Sequence, residues 1–415
     1  MLMAHSSAVF STDLPRILKS QIDTISLQIT SQLPLINNSN LLEGKAGIAL
    51  LFAYLSNTFH KENDHKTTIE LLDELGNSLS NEELDYSMSG GVAGIGFTFQ
   101  HLRNIGLLNK EEDMNLSELD DFINLGIDRD FKNGNWDPLH GMVGLGIYFL
   151  ERHKETGDEK YLEKIVNYLA KMRTDVKEHK VWITPGYGKY SNDNYNFGMA
   201  HGMPGILSFL AQVYARGIKQ QEIRGMILSC LPFLLKYEYG EDEDHCFPTS
   251  IEIEKKDEEQ KQGSRLAWCY GDLCMANALV HCGRVLKNDS LKTHGINIAL
   301  KTTKRNFESA GCLDAPFCHG SVGLVHQYQR FYHLTGNEVF KYAVDAWVNQ
   351  TLKDHYKPGE GVGGYSFRYM NEHTNLFEYK PMYGLLEGGA GIALVWLYYL
   401  CDIKPDWDIV FLTNV

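Results

Sequence analysis

The strings LLEGKAGIAL at residues 41–50 and LLEGGAGIAL at residues 385–394 decide how the rest of the chain is read. They differ only at Lys45 against Gly389, yet they stand near opposite ends of 415 residues. Each carries a Gly-x-x-Gly segment that opens an apolar run of helix length, and the same pattern recurs between them. Gly91-Val92-Ala93-Gly94 precedes IGFTF, Gly141-Met142-Val143-Gly144 precedes LGIYFL, Gly202-Met203-Pro204-Gly205 precedes ILSFLAQVYA, and Gly320-Ser321-Val322-Gly323 precedes LVHQYQRFY. A degenerate copy, Gly271-Asp272-Leu273-Cys274 before MANALVHC, fills the widest gap and makes seven. Successive copies are about 57 residues apart, which is room for two helices and their loops.

Between the copies lie amphipathic stretches, for example residues 159–172, 221–235 and 338–352, with polar residues around an apolar stripe. They read as outer helices. Each repeat then predicts one outer helix followed by one inner, more apolar helix, with glycines allowing close backbone approach where the inner helix begins. Seven pairs give an all-α fold of fourteen helices. An open solenoid needs polar, atypical terminal repeats as caps, whereas the first and last copies here are nearly the same. A closed (α/α)7 toroid, residues 1–415 as one domain, is the expectation; an open array of closely packed helices is the alternative.

Acidic residues outnumber basic ones, 53 to 39, and the formal charge of −14 argues against a nucleic-acid partner, because phosphate contacts need an excess of Lys and Arg. No apolar run approaches the roughly 18 residues of a membrane span, and no basic residue precedes the small apolar patch of residues 1–12. A cytoplasmic protein is expected, reaching a membrane only through a complex. Eight cysteines in a chain of this length are far too few for a disulfide scaffold, so the thiols are expected to be reduced. Two segments break the helical rhythm. Residues 175–196, aromatic and turn-rich, and the acidic residues 239–262 could hold short strands or a flap; the bland reading of the acidic run is a solvated loop.

Aligning the copies on their first glycine turns sequence positions into approximate places on one rim. Immediately before that glycine stand Glu43, Gly90, His140, His201, Tyr270, His319 and Glu387, and one position earlier two cysteines, Cys269 and Cys318, fall in consecutive copies. Cys269, Cys318 and His319 therefore make a three-ligand set for Zn2+ that leaves the fourth tetrahedral position open, as catalytic sites do. The competing reading is that free cysteines are simply buried apolar residues. Cys230, Cys274, Cys282, Cys312 and Cys401 are read that way, and Cys246 is left without a role. The rim should also gather the inner helices' unpaired N-terminal N–H groups and positive dipole ends, which favour thiolate and other anions. His201 and Asp137, from adjacent copies, could serve as an acid/base and its orienter, with His140 as a rival that could share the role. Arg265, four residues before Cys269, could hold a carbonyl or carboxylate; its plain alternative is a surface ion pair with the preceding acidic run.

Taken together, Arg265-Leu266-Ala267-Trp268-Cys269-Tyr270-Gly271, Cys318-His319-Gly320, Ala200-His201-Gly202 and the seven glycine segments resemble the lanthionine synthetase C-like family, the lanthipeptide cyclases of the nisin type. The resemblance spans the whole chain. It implies an (α/α)7 toroid with one zinc ion on Cys269, Cys318 and His319, and active-site residues at Asp137, His201, Arg265 and Tyr270. A small β-rich extension, best sought in residues 175–196, also follows from it. The activity implied is thioether formation: a cysteine thiolate of a dehydrated precursor peptide adds to dehydroalanine or dehydrobutyrine and closes a lanthionine or methyllanthionine ring. His201 would be the acid, or the base for the thiol, with Arg265 or Tyr270 polarising the substrate carbonyl. The chain's length suits a stand-alone cyclase, so the implied partners are a leader-bearing precursor, a separate dehydratase and a peptide transporter. Two other readings stay open. One is a related zinc protein that binds glutathione or a partner's thiol without forming rings; the other is a carbohydrate-active toroid, for which Glu43 and Glu387 lack a supporting motif.

Overall fold

The computed structural model describes residues 13–108, 114–186, 192–253, 263–401 and 403–415. In chain order its first helices are α1 (Leu14–Gln32), α2 (Lys45–Phe59), α3 (Glu62–Asn81), α4 (Val92–Asn104) and α5 (Leu116–Asn133). Next come α6 (Met142–Thr156), α7 (Lys160–Lys171), α8 (Met203–Ala215), α9 (Gln220–Leu235) and α10 (Asp272–Val285). The last are α11 (Asp289–Thr302), the single turn α12 (Phe307–Ala310), α13 (Ser321–Thr335), α14 (Glu338–Gln350) and α15 (Gly389–Cys401). All seven glycine segments open a helix, namely α2, α4, α6, α8, α10, α13 and α15. Among the described residues, seven further helices, α1, α3, α5, α7, α9, α11 and α14, alternate with them as the outer set.

The two sets differ in the way their sequences require. The inner helices are buried on every side over most of their length, for example Ala46 to Leu55 in α2 and Met203 to Val213 in α8. An outer helix buries one stripe. In α7 that stripe is Tyr161, Leu162, Ile165, Val166 and Leu169, each aliphatic member contributing about 1.5–3 kcal/mol of transfer free energy. Caps differ too: Asn115, Asn288 and Asn337 cap the outer helices α5, α11 and α14 through their side chains, whereas a glycine without a side-chain bond stands at the cap of five inner helices.

The glycines are explained by a loop that folds back on the start of each inner helix. The second glycine of a segment lies against the carbonyl of the residue six earlier: a Cβ would stand 2.2 Å from Leu41 O at Gly47, 2.2 Å from Met199 O at Gly205 and 2.1 Å from Phe317 O at Gly323. Only hydrogen fits there. In the degenerate copy the place is taken by Cys274, whose Sγ lies 3.1 Å from the carbonyl of Trp268, again six residues back; Gly271 there has a φ of 146°. One expectation is corrected by the same loop. Helix-start N–H groups of Lys45, Met142, Ser321 and Gly389 donate to loop carbonyls of Asn38, Asn135, Asp314 and Met382 at 2.8–3.2 Å, so these donors are already satisfied rather than free for an anion.

Short strands occupy the segments that broke the rhythm. Antiparallel β1 (Thr174–Val176) pairs with β2 (His179–Val181), and β3 (Asn194–Asn196) pairs with β4 (Ser250–Glu252) in the register Tyr195 to Ile251. The two irregular segments are thus partners of each other. Residues 187–191 of the first and 254–262 of the second lie outside the described residues. A third antiparallel pair, the hairpin of β5 (Phe367–Asn371) with β6 (Leu376–Lys380), was not anticipated.

The chain divides into two compact units. In the first, drawn from Met1–Asp85, His101–Met114 and Cys312–Trp407, α2 packs on α3 and α15, α15 packs on α1 and α13, and α13 packs on α14. Leu386 N–H donates to Leu42 O at 2.9 Å, joining the last copy to the first. In the second, drawn from Tyr86–Gln100, Asn115–Gly311 and Asp408–Val415, α6, α8 and α10 pack in succession with α7, α9 and α11 against them. Its core includes the C-terminal stretch, where Phe411 is fully buried and its carbonyl accepts from Trp268 Nε1 at 2.7 Å.

Candidate active site

The loop before α6 carries Trp136-Asp137-Pro138-Leu139-His140, and a single carboxylate organises it. Asp137 Oδ1 accepts the backbone N–H groups of Leu139 and His140, both at 2.8 Å, which makes the turn; Oδ2 accepts from His201 Nδ1 at 2.7 Å. His201 comes from the equivalent loop before α8. Burial alone would lower its pKa, but the hydrogen bond and charge of Asp137, with a smaller contribution from Cys269, outweigh it and hold the imidazole above its ordinary value. Asp137 shows the converse: burial pushes it up, while His201 and the His140 N–H pull it below the usual carboxylate range. With Nδ1 committed to Asp137, Nε2 is the nitrogen left to work.

Three further side chains stand around this pair in the second unit. The ring of Tyr270 is 6.2 Å from that of His201 and its hydroxyl accepts from Asn196 Nδ2 at 3.3 Å; burial raises its pKa, so it stays a neutral donor. The His140 ring lies nearly parallel to that of His201 at 5.8 Å, and its Nδ1 is hydrogen-bonded to Ser89 Oγ at 2.7 Å. Arg265 is exposed and reaches the sulfur beside it, its Nη2 3.8 Å from Cys269 Sγ, so it faces the cysteine as well as solvent. Cys269 itself is 5% exposed, and its carbonyl accepts from Ala200 N–H.

In the first unit, Cys318 is 8% exposed and its N–H donates to Leu386 O, so its place follows from the bond between neighbouring copies. Its neighbour His319 has Asp314 Oδ2 at 3.8 Å from Nε2 and the ring of Phe367, from β5, at 5.7 Å. Burial, helped by the charge of Glu43 and opposed by His319, pushes the Glu387 carboxyl up to about 7.

Among the described residues, Cys269, Cys318 and His319 form a group that could hold a metal ion. The other buried thiols do not compete. Burial pushes Cys230 and Cys246 up to about 12 and Cys274 and Cys282 higher still, which keeps them protonated core residues. Asn196, Asp314 and Phe367 were missed by the sequence reading, and Ser89, which the alignment of the copies puts on the rim, was given no role there. Asn196 alone left a signal, since asparagine recurs six residues before the first glycine at Asn38, Asn135 and Asn196.

An all-α array of glycine-opened helix pairs that carries a hydrogen-bonded Asp–His pair, and two thiols and an imidazole fit for a metal, defines the class. The chain belongs to the lanthionine synthetase C-like family, whose model matches residues 36–412. It is 23% identical over 350 residues to the nisin biosynthesis protein NisC of Lactococcus lactis subsp. lactis, covering 78% of this chain and 81% of that one. The solved structure of nisin cyclase matches 95% of this chain and 97% of its own with a TM-score of 0.75 at 19% identity. The all-α toroid of helix pairs expected from the repeats is the fold this likeness identifies, and the small sheets agree with the β-rich extension expected beside it. Among the described residues, no helix is long and apolar enough to cross a membrane.

Proposed function

We propose that this chain is a zinc-dependent lanthipeptide cyclase that adds a cysteine thiol of a dehydrated precursor peptide to dehydroalanine or dehydrobutyrine. The observation that carries the reading is the Asp137–His201 pair, a positioned proton donor, in a chain of this family that also presents the Cys269, Cys318 and His319 group. Two soft sulfurs and a borderline nitrogen suit zinc better than the oxygen-preferring cations, and three protein donors are the number catalytic zinc sites use. Cys269, Cys318 and His319 would hold it, with Asp314 orienting the imidazole. Bound there, zinc would supply a concentrated positive charge that lowers the pKa of an incoming thiol from about 8.5.

The remaining work falls to the chain's own side chains. Addition of sulfur to the β-carbon leaves negative charge on the substrate carbonyl oxygen and an α-carbon in need of a proton. The Tyr270 hydroxyl, neutral at working pH, and the Arg265 guanidinium are the donors for that oxygen. His201, its Nδ1 held by Asp137 and its pKa raised by that carboxylate, is the acid that delivers a proton from Nε2 to the α-carbon. The substrate class requires an upstream dehydration of Ser or Thr, so a separate dehydratase and the precursor's leader are the proposed partners.

The test is chemistry on a peptide. Incubated with a dehydrated, cysteine-containing precursor, the zinc-loaded chain should consume free thiol without a change in mass. Thiol that stays fully alkylatable would leave only the binding of glutathione or a partner thiol. Cys318→Ala should lose metal and activity together, whereas His201→Ala should keep its metal and lose turnover by about 10²–10⁴-fold; full metal content in Cys318→Ala would contradict the ligand assignment.

A further inference from the structure

His140 has the surroundings of a proton-handling group rather than of a turn residue. Its backbone needs are met separately, the N–H by Asp137 Oδ1 and the carbonyl by Asn135 Nδ2 at 3.0 Å, so the ring is not required to hold the loop. The ring is nonetheless tethered. Ser89 Oγ fixes Nδ1 at 2.7 Å, and Ser89 is in turn 3.3 Å from Ser87 Oγ, both serines being buried while the imidazole is exposed. Fixing Nδ1 leaves Nε2 as the free nitrogen, as Asp137 does for His201. The two rings are nearly parallel, 18° apart in plane and 5.8 Å between centroids. The two tethers differ, a carboxylate oxygen at His201 Nδ1 and a neutral hydroxyl at His140 Nδ1, so the two rings are not equivalent.

The proposed addition needs two proton transfers. The thiol must lose a proton and the α-carbon must gain one, and a ring that gives the one proton is not free to take the other in the same step. We propose that His140 is a second catalytic residue that takes the proton of the substrate thiol while His201 gives its own to the α-carbon. The S–H bond breaks toward His140 Nε2, the sulfur pair forms the S–C bond at the β-carbon, and the displaced π pair takes up the His201 proton at the α-carbon. Transfer of the proton from His140 to His201 then restores the starting state, so no proton is gained or lost. This inference rests on the ring-forming reading above.

The experiment compares wild type, His140→Gln and His140→Ala on a dehydrated, cysteine-containing peptide at constant pH and ionic strength, with free imidazole as the variable. Gln keeps a hydrogen-bonding group for Ser89 but moves no proton. Both variants should retain wild-type metal content and KM, lose kcat by on the order of 100-fold in dilute buffer, and recover much of it as imidazole is added. Structural damage would not be repaired by a buffer in solution. Wild-type kcat in His140→Gln without imidazole, or a loss that imidazole leaves untouched in both variants, would overturn the role of His140 alone. Failure of the wild-type chain to consume thiol would overturn the ring-forming reading and this role with it.

Discussion

Asp137 divides its two oxygens between a turn and a ring, and that division governs how the site answers to pH. Because the His201 pKa is raised, the stability from its pairing is fully present below about 6.5 and is lost as pH rises through the raised folded value. Asp137, depressed, contributes above about 3.9 and ceases to as pH falls through its lowered value. If His201 acts as the acid, kcat should decline on the alkaline side at a pH above 6.5. Asp137→Asn removes the charge but leaves the burial, so His201 should titrate below its ordinary value and that limb should move to lower pH. A pH–rate profile of the two proteins decides it, and an unmoved limb would show that another group supplies the proton. The bonds that hold the neighbouring rings were not legible in the chain: Ser89 lies 51 positions from His140 and Asn196 lies 74 from Tyr270, and although Asn196 recurs with Asn38 and Asn135, nothing in that recurrence names Tyr270 as its partner.

Among the elements, the inner helices are those whose ends the sequence marked most plainly. In the copies that begin at Gly44, Gly141, Gly202, Gly320 and Gly388 both glycines face loop atoms that a Cβ would strike, and the second position makes a sharp prediction. Gly323→Ala would drive a Cβ to 2.1 Å from Phe317 O, a backbone atom that cannot step aside, and should cost about 1–3 kcal/mol, read as a lower melting temperature. Gly225, inside the outer helix α9 with nothing within 4 Å of its missing Cβ, supplies the control: Gly225→Ala should raise stability by about 0.4–1 kcal/mol. Loops between elements were less legible. The hairpin of β5 and β6 leaves Met370, Phe377 and Tyr379 about half exposed, so its strands lack the clean alternation of buried and exposed residues that betrays a strand in sequence.

On the scale of the molecule, closure and burial are decided by contacts far apart in the chain. The bond from Leu386 to Leu42 makes neighbours of the first and last copies within the first unit, so neither of these two copies stands as a free end there. Within the second unit, the buried pair of Arg305 and Asp272 ties the irregular segment to α10: Asp272 Oδ1 accepts from the N–H groups of Cys246 and Phe247, and Arg305 Nη2 donates to the carbonyl of Ser264 at 2.7 Å. Arg305→Ala removes the cation paired with the buried Asp272 carboxylate. It should cost about 3–5 kcal/mol in denaturant unfolding and loosen the segment that leads into Cys269; a change below about 1 kcal/mol would mean that the pair carries little of the unit's stability.

The repeat count, the alternation of inner with outer helices and the choice of Cys269, Cys318, His319, His201 and Asp137 followed from sequence alone, because a pattern that recurs seven times converts chain position into structural position. Which nitrogen of His201 is committed, which ring faces it, and which backbone groups already satisfy the helix starts were decided only by tertiary structure. Those are matters of distance and direction between segments dozens of residues apart, set by packing against neighbours that no local pattern encodes.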